Sequence, residues 1–445
     1  MRSKPVIVLK FGGSVISGRE GFFGATEYAT KLLHGFKPLL VVSAPKGVTS
    51  LLENLYGKVD RNAILGLRKR YAMVLAGISD EQIRQDASEQ IESALRSLEG
   101  SMDYDQFVSQ GEDHSGLILT HFLESLGYES LYMNGYNAGI LVDSRGIIKE
   151  RLSISNVRRN LTRYLEQDND VIPIIGGFVG RQLDTAKYRL LGRNSTDVTG
   201  AIVAAATDAD YEIIKDVPGI YFVEPEFRKS HVIPLLSYEE AGELAWRGIE
   251  AVHPIAVRIA KNNDIPIRVK SLHDKTKTLI TGKSASTRER PIAGISARRF
   301  YLLNISDELM NTSEGRGYLS TVTGILSSYG IDIYDVATSA NVISVTIHPR
   351  QNVAKNEKIE IILTKCLEEH NYRPSVRGKR IGAISIVGKA LKENTEIISR
   401  LTSLFHRNRI GIRMISKGDS QNLIFGIEEK GLVAAVNLLY GELFS

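Results

Sequence analysis

The sequence predicts an α/β protein: an open, mostly parallel sheet sandwiched by helices, followed by two ferredoxin-like modules. Two observations carry this prediction. Residues 171–226 contain a buried strand, an anion-facing helix start and a second buried strand, which is how open α/β sheets build nucleotide sites. Residues 300–443 then repeat a strand–helix–strand–strand–helix pattern twice, in units of about 70 residues.

Composition and charge are those of an ordinary globular protein. The 445 residues are 43% hydrophobic and 24% charged, which suits two or three domains. The net charge of +5 is interspersed with acidic residues, so we expect no nucleic-acid partner. No apolar run approaches the ~20 residues of a membrane span, and a single cysteine fits a reducing cytoplasm. The nine histidines form no pair at ligand spacing, so we predict no metal site.

The first half begins with two predicted strands, residues 5–9 and 38–42, each followed by a polar loop. The glycine pair of Lys10-Phe11-Gly12-Gly13 lets backbone amides approach a phosphate, and the lysine adds positive charge. The spacing is not that of a Walker loop, so a plain strand-to-helix turn is an equal alternative. After the second strand, the hydroxyls of Ser43 and Thr49 either bind a substrate or cap the helix expected near residue 50.

Three amphipathic helices are predicted next. Residues 61–76 place apolar side chains on one face, and residues 79–82, Ser-Asp-Glu-Gln, form a capping box that opens the second helix. The third helix follows residues 107–112 and places Glu112 in its first turn. A carboxylate there suits the helix dipole, and the alternative is that it binds a substrate ammonium group.

The central segment contains the predicted anion site. Residues 191–197, LGRNSTD, form a loop and a helix start, where Ser195, Thr196 or Asp197 can cap the free amides. A strand at 212–215 and a turn at 216–219 follow. Two helices and a strand at 265–269 complete this half, and the polar residues 276–287 are predicted to be a linker.

The repeat beyond the linker consists of two similar units. The first has predicted strands at 300–305, 331–338 and 342–347, with helices at 318–329 and 355–369. The second has predicted strands at 382–387, 412–416 and 422–427, with helices at 394–408 and 431–443. This order predicts paired ferredoxin-like modules.

Several motifs, taken in order, resemble those of aspartate kinases in the amino acid kinase superfamily. KFGGSV, VVSAPKGVT, SQGE and LGRNSTD are similar to the family's KFGGTS, VVSAMGGVT, SxGE and LGRGGSD. KDVPGIYFVEPE resembles TDVDGVYTADPR, and SYEEAGEL with VHP resembles SYDEAMEL with LHP. The order and spacing hold over nearly the whole chain, and the C-terminal repeat resembles tandem ACT domains.

The resemblance implies an amino acid kinase catalytic domain over residues 1–285 and a regulatory region over residues 291–445. The first ACT module would cover about 300–375. The second would cover about 378–445 together with a strand at 291–297, because in the family the second module takes a strand from before the first. Here residues 292–296 would pair with residues from about 378 onward.

The resemblance also implies a reaction, transfer of the ATP γ-phosphoryl group to the side-chain carboxylate of L-aspartate. In it Lys10 would hold phosphates and Asp197 would orient Lys10. Glu112 would bind the aspartate ammonium group and Arg193 a carboxylate. The other implied aspartate contacts are Ser43, Thr49 and Thr196. The implied nucleotide contacts are Lys10, Phe11, Gly12, Gly13, Lys215, Asp216, Tyr221 and Lys270. Mg²⁺ would be held through the phosphates and water.

The ACT modules imply feedback control by a small amino acid, lysine or threonine. Effector contacts would come from Asp332, Thr338 and Ser339. Because ACT sheets pair edge to edge, we expect a homodimer or larger assembly. The reaction would be the first step toward lysine, threonine and methionine.

The sequence departs from the family pattern at four places. Residues 194–195 are Asn-Ser instead of Gly-Gly, and Lys215 replaces a threonine. Residues 224–226 are Glu-Pro-Glu instead of Asp-Pro-Arg, so residue 226 is negative where the family has a positive charge. Arg228 is the candidate to replace that arginine. Residues 338–340 are Thr-Ser-Ala instead of Thr-Ser-Glu, which removes a carboxylate from the expected effector pocket.

Two alternatives stay open. One is a related kinase with another acceptor, as in glutamate 5-kinase, acetylglutamate kinase or isopentenyl phosphate kinase. The other is a catalytically silent amino-acid sensor whose altered loops no longer hold ATP. Nucleotide binding separates the sensor from both kinases, and the choice of acceptor separates the kinases from each other.

Overall fold

The computed structural model describes residues 4–58, 60–166, 171–283, 292–313, 315–348, 358–392, 395–417 and 421–444. The chain divides into two compact units. The first consists of Met1–Ile220, Val232–Ala245 and Glu250–Ala285. The second consists of Tyr221–His231, Trp246–Ile249 and Ser286–Ser445, so two short segments of the first half belong to it.

The first unit is built on an eight-stranded sheet and a small three-stranded sheet. Its strands are β1 (Val6–Phe11), β2 (Lys37–Val42), β3 (Ser130–Asn134), β4 (Leu141–Val142), β5 (Ile172–Gly176), β6 (Val179–Gln182), β7 (Tyr188–Leu190), β8 (Asp210–Ile214), β9 (Leu235–Ser237), β10 (Ile267–Lys270) and β11 (Lys277–Thr281). The large sheet has the order β3-β5-β2-β1-β8-β10-β11-β9, and the small one β4-β6-β7. In the large sheet β10 and β11 are antiparallel and the other described pairs are parallel, which confirms the predicted open, mostly parallel sheet.

Helices cover both faces of the large sheet. They are α1 (Arg19–Leu32), α2 (Val48–Leu55), α3 (Arg61–Leu75), α4 (Glu81–Ser97), α5 (Tyr104–Glu124), α6 (Gly135–Ala138), α7 (Glu150–Glu166), α8 (Thr196–Thr207), α9 (Tyr238–Trp246) and α10 (Pro254–Asn262). Side chains of α1–α5 form one apolar core with Leu9, Phe11 and Leu40. On the opposite face α8 packs against β1, α7 and α10. No helix in the described part of the chain is long and apolar enough to cross a membrane.

The helix starts differ from the sequence predictions in three places. Asp80, not Ser79, caps α4, because its carboxylate accepts the Ile83 N–H at 3.0 Å. Helix α2 starts after Gly47, whose φ of +85° and lack of a side chain leave the start without a side-chain cap. Helix α5 starts at Tyr104, eight residues before Glu112, so the prediction that Glu112 lies in a first turn is wrong.

The predicted linker is also wrong in its first part. Residues Lys277–Thr281 form β11, which pairs antiparallel with β10. The polar composition concealed a strand in which buried and accessible residues alternate, with Thr278 and Ile280 wholly buried. Residues 284–287 of the predicted linker lie outside the described residues.

The second unit is a six-stranded antiparallel sheet with helices. Its elements are β12 (Gly294–Ser306), α11 (Tyr318–Ser328), β13 (Ile333–Thr338), β14 (Val342–Ile347), α12 (Ile359–Glu369), β15 (Ser375–Val387), α13 (Thr395–Arg407), β16 (Ile412–Ser416), β17 (Asn422–Glu428) and α14 (Leu432–Phe444). The strand order is β13-β14-β12-β15-β17-β16. The predicted repeat is therefore confirmed, while its predicted helix residues 355–357 and 394 lie outside the described part.

The two modules share their long central strands. β12 and β15 pair over their full lengths, from Gly294 opposite Val387 to Ser306 opposite Ser375. The second half of β12 pairs with β14, and the second half of β15 pairs with β17. The second half of β12 and the first half of β15 therefore belong to the first module. The first half of β12 and the second half of β15 belong to the second module. The expected pairing of residues 292–296 with the chain from about 378 onward is found for residues 294–296, which lie opposite residues 385–387 and supply the fourth strand of the second module.

Candidate active site

The C-terminal ends of the central parallel strands meet at one edge of the large sheet. β1, β2, β5 and β8 are neighbours there, so the loops that follow them lie close together. Helix α8 packs against both β1 and β2, and it starts immediately after the LGRNS loop. This edge brings together many of the residues that the sequence singled out.

A buried ion pair lies at this edge. Lys10 Nζ is 2.7 Å from Asp197 Oδ1, and the two side chains are only 6% and 2% exposed. Burial opposes the ionisation of Asp197, but the charges of Lys10 and Lys215 outweigh it and hold the pKa of that carboxyl below its ordinary value. The other oxygen, Asp197 Oδ2, accepts the backbone N–H of His253 at 3.0 Å. Asp197 is therefore an ionised carboxylate that fixes the position of Lys10.

Lys215 adds a second ammonium group to the pair. Its Nζ lies 3.8 Å from Asp197 Oδ2 and donates to the Glu250 carbonyl at 2.8 Å. Burial lowers the pKa of Lys215, and the Asp197 carboxylate opposes this effect. Two ammonium groups around one carboxylate leave one net positive charge in a largely buried site. Such a cluster favours a polyanion such as a phosphate chain.

The N-terminus of α8 faces the same edge without a side-chain cap. Ser195 occupies the N-cap position and its hydroxyl makes no capping hydrogen bond, so of the three residues predicted as possible caps, Ser195, Thr196 and Asp197, the one at the N-cap does not cap the helix. The first amides of α8 therefore keep their partial positive charge for an anion. Asn194, which replaces a glycine of the family pattern, has φ of +62° and so preserves the left-handed loop conformation. Thr196 is buried against Gly177, where a Cβ would lie 2.4 Å from its methyl group.

The glycine pair after β1 is a close-packed turn. A Cβ on Gly13 would lie 2.3 Å from the Ala44 carbonyl oxygen, so only glycine fits there. The Gly13 carbonyl accepts the Lys46 N–H at 2.8 Å, which joins the loops after β1 and β2. The Gly12 N–H donates to Ile214 O at 3.0 Å, so this amide is engaged within the sheet and the geometry gives no support to its expected phosphate contact. The Phe11 side chain lies in the apolar core.

Glu112 is a buried carboxyl in the middle of α5. Its Oε1 accepts the Ala44 N–H at 2.9 Å, while Oε2 has no hydrogen-bond partner among the described residues. Burial raises the pKa of Glu112 to about 8. A carboxyl held this way in a helix interior is not explained by the helix dipole. It costs stability and suits a cationic ligand group.

Other predicted substrate residues line the loop after β2 and the start of α2. The Ser43 N–H donates to the Phe11 carbonyl at 3.3 Å, and Ser43 and Thr49 are both partly exposed. Arg193 is largely exposed and pairs with Glu53 on α2, donating also to Ser50 Oγ at 3.4 Å. Arg193 is therefore exposed to solvent at this edge of the sheet, whereas Lys10 and Asp197 are buried there.

Lys270 does not join the Lys10 cluster. Neighbouring strands in register point side chains to the same face, so Lys270 shares a face with Ile214 and Phe11, opposite to Lys10. Its Nζ donates to Tyr28 Oη at 2.8 Å on that opposite face. Asp216 is exposed just after β8. Tyr221 is the first residue of a segment that belongs to the second unit.

One contributor was missed by the sequence analysis. His253 supplies the backbone N–H that Asp197 accepts, and its ring Nδ1 accepts the Ile255 N–H at 3.2 Å as the cap of α10. The signal was Pro254 directly after it, since proline at the first helical position marks a helix start. The VHP motif gave no sign of the contact with Asp197, because that contact joins residues far apart in sequence.

Comparison with known families shows which family the chain belongs to. A family model described as the amino acid kinase family matches residues 5–271, and an ACT domain model matches residues 384–443. The chain belongs to the amino acid kinase family. It is therefore a kinase by family, with a C-terminal ACT domain, and the resemblance drawn from its motifs is confirmed.

Several aspartokinases are similar to this kinase over most of their length. Aspartokinase 3 of Bacillus subtilis is 28% identical over 85% of this chain and 83% of its own length. The chloroplastic aspartokinase 1 of Arabidopsis thaliana is 24% identical over 98% of this chain and 80% of its own. A crystal structure of E. coli aspartokinase III with aspartate and ADP has a TM-score of 0.80 at 23% identity, covering 99% of this chain and all of that one. The latter likeness establishes the shared fold.

The ACT unit of this kinase contains a cleft at the start of α11. It encloses about 630 Å³ and is lined by Met310, Asn311, Thr312, Ser313, Gly315, Arg316, Gly317, Tyr318, Leu319, Thr338, Ser339 and Ile343. The predicted effector residues Thr338 and Ser339 thus share one cleft with a glycine-rich turn. Asp332 is exposed before β13 and is not among the lining residues.

Proposed function

We propose that this kinase transfers the γ-phosphoryl group of ATP to the side-chain carboxylate of L-aspartate, giving 4-phospho-L-aspartate. The observation that carries the proposal is the buried cluster of Lys10, Asp197 and Lys215 at the uncapped start of α8, with the buried Glu112 beside the adjoining loop. The similarity to aspartokinases over most of the chain supports the choice of acceptor.

The cluster suits phosphoryl transfer because this reaction depends on positioning and charge neutralisation. A carboxylate that approaches a triphosphate must overcome repulsion between anions. Lys10 and Lys215 reduce that repulsion, and the α8 amides add positive potential from the helix end. Asp197 holds Lys10 through an ion pair of 2.7 Å, so the ammonium group needs little reorganisation when negative charge develops.

The acceptor would be held at both of its charged ends. Glu112 offers a buried carboxyl that would ionise as the ammonium group binds, and Arg193 offers a planar guanidinium to a carboxylate. Ser43, Thr49 and Thr196 provide hydroxyls between them. Arg193 pairs with Glu53, so substrate binding would exchange one carboxylate partner for another.

Mg²⁺ is proposed to arrive with ATP. Within the described residues, no three His, Cys, Asp or Glu side chains are grouped to hold a metal ion. The cation would therefore be coordinated mainly by phosphate oxygens and water, and it would neutralise charge on the phosphates. The protein contribution is the fixed pair of lysines and the helix end.

Regulation is proposed to reside in the ACT modules, with residues 1–285 as the catalytic domain and 291–445 as the regulatory region. Lysine or threonine would bind in the cleft beside Thr338 and Ser339 and inhibit the first step toward lysine, threonine and methionine. The six-stranded sheet ends at β13 and β16, and a sheet edge is a template for pairing with another chain. We therefore propose a homodimer or larger assembly through these modules.

Hydroxylamine trapping of acyl phosphates tests the reaction. MgATP is supplied with aspartate, glutamate or acetylglutamate in parallel, and hydroxamate is measured for the wild type and for Lys10→Met. We expect a signal with aspartate that is lost in the variant. A signal with another acceptor only would keep the kinase and reject aspartate. No signal with any acceptor, together with no ATP binding by calorimetry, would favour the silent sensor.

A further inference from the structure

Arg298 on β12 holds both of the short segments that the first half of the chain contributes to the second unit. Its guanidinium forms a two-pronged ion pair with Glu224 in Tyr221–His231, including a contact of 2.6 Å from Nη2 to Oε1. Nη1 also lies 3.4 Å from Glu226 Oε1. Nη2 donates in addition to the Gly248 carbonyl in Trp246–Ile249. One side chain therefore fastens both segments to the same strand.

The contact between Arg298 and Gly248 depends on the backbone conformation of the glycine. Gly248 has φ of +107°, and a Cβ there would lie 2.7 Å from Arg298 Nε and 3.0 Å from its Cγ. Only glycine allows the arginine stem to lie against this turn. The Arg298 and Glu224 side chains are 18% and 17% exposed, so the pair is shielded from much of the solvent screening that weakens surface ion pairs.

A second set of contacts holds the Trp246–Ile249 segment to the same sheet. Ser296 Oγ donates to the Arg247 carbonyl at 2.7 Å. The Arg247 guanidinium lies over the Tyr334 ring, 5.0 Å from its centre. The backbone of residues 247 and 248 is thus held at two consecutive carbonyls by side chains of β12.

The chain runs directly from this anchor into the catalytic cluster. Two residues after Gly248, the Glu250 carbonyl accepts Lys215 Nζ at 2.8 Å. Five residues after Gly248, the His253 N–H donates to Asp197 Oδ2 at 3.0 Å. Five residues span at most about 17 Å when fully extended, so a displacement at Gly248 is passed on along a short backbone.

We propose that Arg298 is a positioning residue for the kinase reaction. By fixing Gly248 and Glu224, it sets the path of residues 248–253 and, through their backbone, the orientation of Lys215 and Asp197. This inference rests on the proposed kinase function.

Both acidic residues of Glu-Pro-Glu at residues 224–226 face Arg298. The aspartate kinase pattern quoted above has arginine at the position of Glu226, which would repel Arg298. The charge reversal is thus matched by Arg298 within the second unit. Arg228, the residue considered from the sequence as a substitute, instead donates to Asn437 Oδ1 at 3.0 Å and lies over the Tyr440 ring.

The test compares Arg298→Ala, Glu224→Gln and Gly248→Ala with two controls. Arg413→Ala removes an exposed ion pair with Glu428 at the outer part of the same sheet. Gly324→Ala places a methyl group in open space on α11. Steady-state kcat and KM for ATP and aspartate are measured for each, with Tm as a check on folding. Deuterium exchange of residues 246–253 is followed separately.

We expect kcat/KM for ATP to fall about 2- to 30-fold in all three test variants, the range of couplings carried through such networks. Gly248→Ala should act in the same direction although it removes no charge. Exchange of the His253 amide should become faster. Arg298→Lys should recover part of the loss, and Arg298→Ala combined with Glu224→Gln should cost little more than either change alone.

Two results would overturn the proposal. One is that the three test variants have the same steady-state kinetics and the same amide exchange rates as Arg413→Ala and Gly324→Ala. The other is a loss of activity that follows only the fall in Tm. If Arg298→Ala does not fold, Glu224→Gln and Gly248→Ala decide the question. If the wild type phosphorylates no acceptor, the proposed function fails, and amide exchange at residues 246–253 still decides whether Arg298 positions this segment.

Discussion

Glutamine in place of Glu112 separates what this carboxyl costs in folding from what it contributes to binding. Glutamine is nearly the same size and keeps an oxygen that can accept the Ala44 N–H now bonded at 2.9 Å. It removes the ionisable group, whose pKa is raised to about 8 by burial. An unfolded chain would ionise the same carboxyl near 4.5.

The sign of the effect follows from proton binding. Between pH 4.5 and about 8 the folded protein keeps the Glu112 proton and the unfolded chain does not. The free energy of unfolding therefore falls as pH rises through this interval. At about 1.4 kcal/mol for each pH unit, the loss from this group is up to about 5 kcal/mol by pH 8. Glu112→Gln should escape it, so the variant should gain stability relative to wild type as pH rises.

The assay is urea or thermal unfolding of the wild type and of Glu112→Gln from pH 5 to pH 8.5, without substrates. Glu129→Gln, at an exposed carboxyl beyond the end of α5, serves as the control. The stability difference between wild type and Glu112→Gln should widen with pH, whereas the difference for the control should stay level. A level difference for Glu112→Gln as well would refute the assignment of a raised pKa to this carboxyl.

Binding should show the opposite preference. The ionised carboxylate attracts the aspartate ammonium group, and its fraction changes about tenfold for each pH unit below 8. The KM of the wild type for aspartate should therefore fall as pH rises from 6 to 8. In Glu112→Gln the KM should be higher and nearly independent of pH in this window. A wild-type KM without this trend would remove Glu112 from the ammonium site.

Three further predictions concern the catalytic pair, Arg193 and the ACT cleft. Lys10→Met should lower kcat at least about a thousandfold, because it removes the positive charge expected to face the phosphates. It should also lower the free energy of unfolding by about 3 kcal/mol, because Asp197 stays buried without its partner. Adding Asp197→Asn should restore stability but not activity. Arg193→Ala should raise the aspartate KM about tenfold or more and lower kcat, with unfolding unchanged, because the residue is largely exposed. Thr338→Val with Ser339→Ala should raise the inhibitory concentration of lysine or threonine about tenfold without changing kcat in their absence.

Each of these three predictions has a control variant or an outcome that would contradict it. Arg158→Ala removes an exposed ion pair with Asp208, which lies at the C-terminal end of α8, and should leave kinetics unchanged. Equal kinetics for this control and for Arg193→Ala would take Arg193 out of the substrate site. Recovery of activity in the Lys10 and Asp197 double variant would contradict the role of Lys10. Thr323→Val on α11, whose hydroxyl donates to the Ser320 carbonyl outside the cleft, is the control, and unaltered inhibition after the Thr338 and Ser339 changes would place the effector elsewhere.

Local patterns predicted most of the architecture. The strands β1, β2 and β5 each contain a short apolar run, such as residues 6–9 in β1 and 39–42 in β2, and such runs are predictable because buried parallel strands need side chains that are apolar on both faces. The tandem repeat was visible for the same reason, since the hydrophobic period alternates between helix and strand in the same order twice. Order and spacing of the motifs also indicated the family.

Local patterns failed where distant contacts decide the conformation. The sequence 277–281 is polar enough to resemble a linker, but β10 offers it a hydrogen-bonding partner and two of its five residues are buried. Glu112 was placed in a first turn because the polar residues before it resemble a helix start. Whether α5 began there or at Tyr104 depended on packing that extends over the whole helix.

The sequence by itself therefore determined the fold class and the repeat, because these follow from residue type and period. Only the tertiary structure decided the partners of individual side chains. It joined Asp197 to His253, turned Lys270 away from Lys10, and matched Glu224 and Glu226 with Arg298. Each of these contacts links residues more than 50 positions apart, and closing such loops is decided by the free energy of the whole core rather than by any local preference.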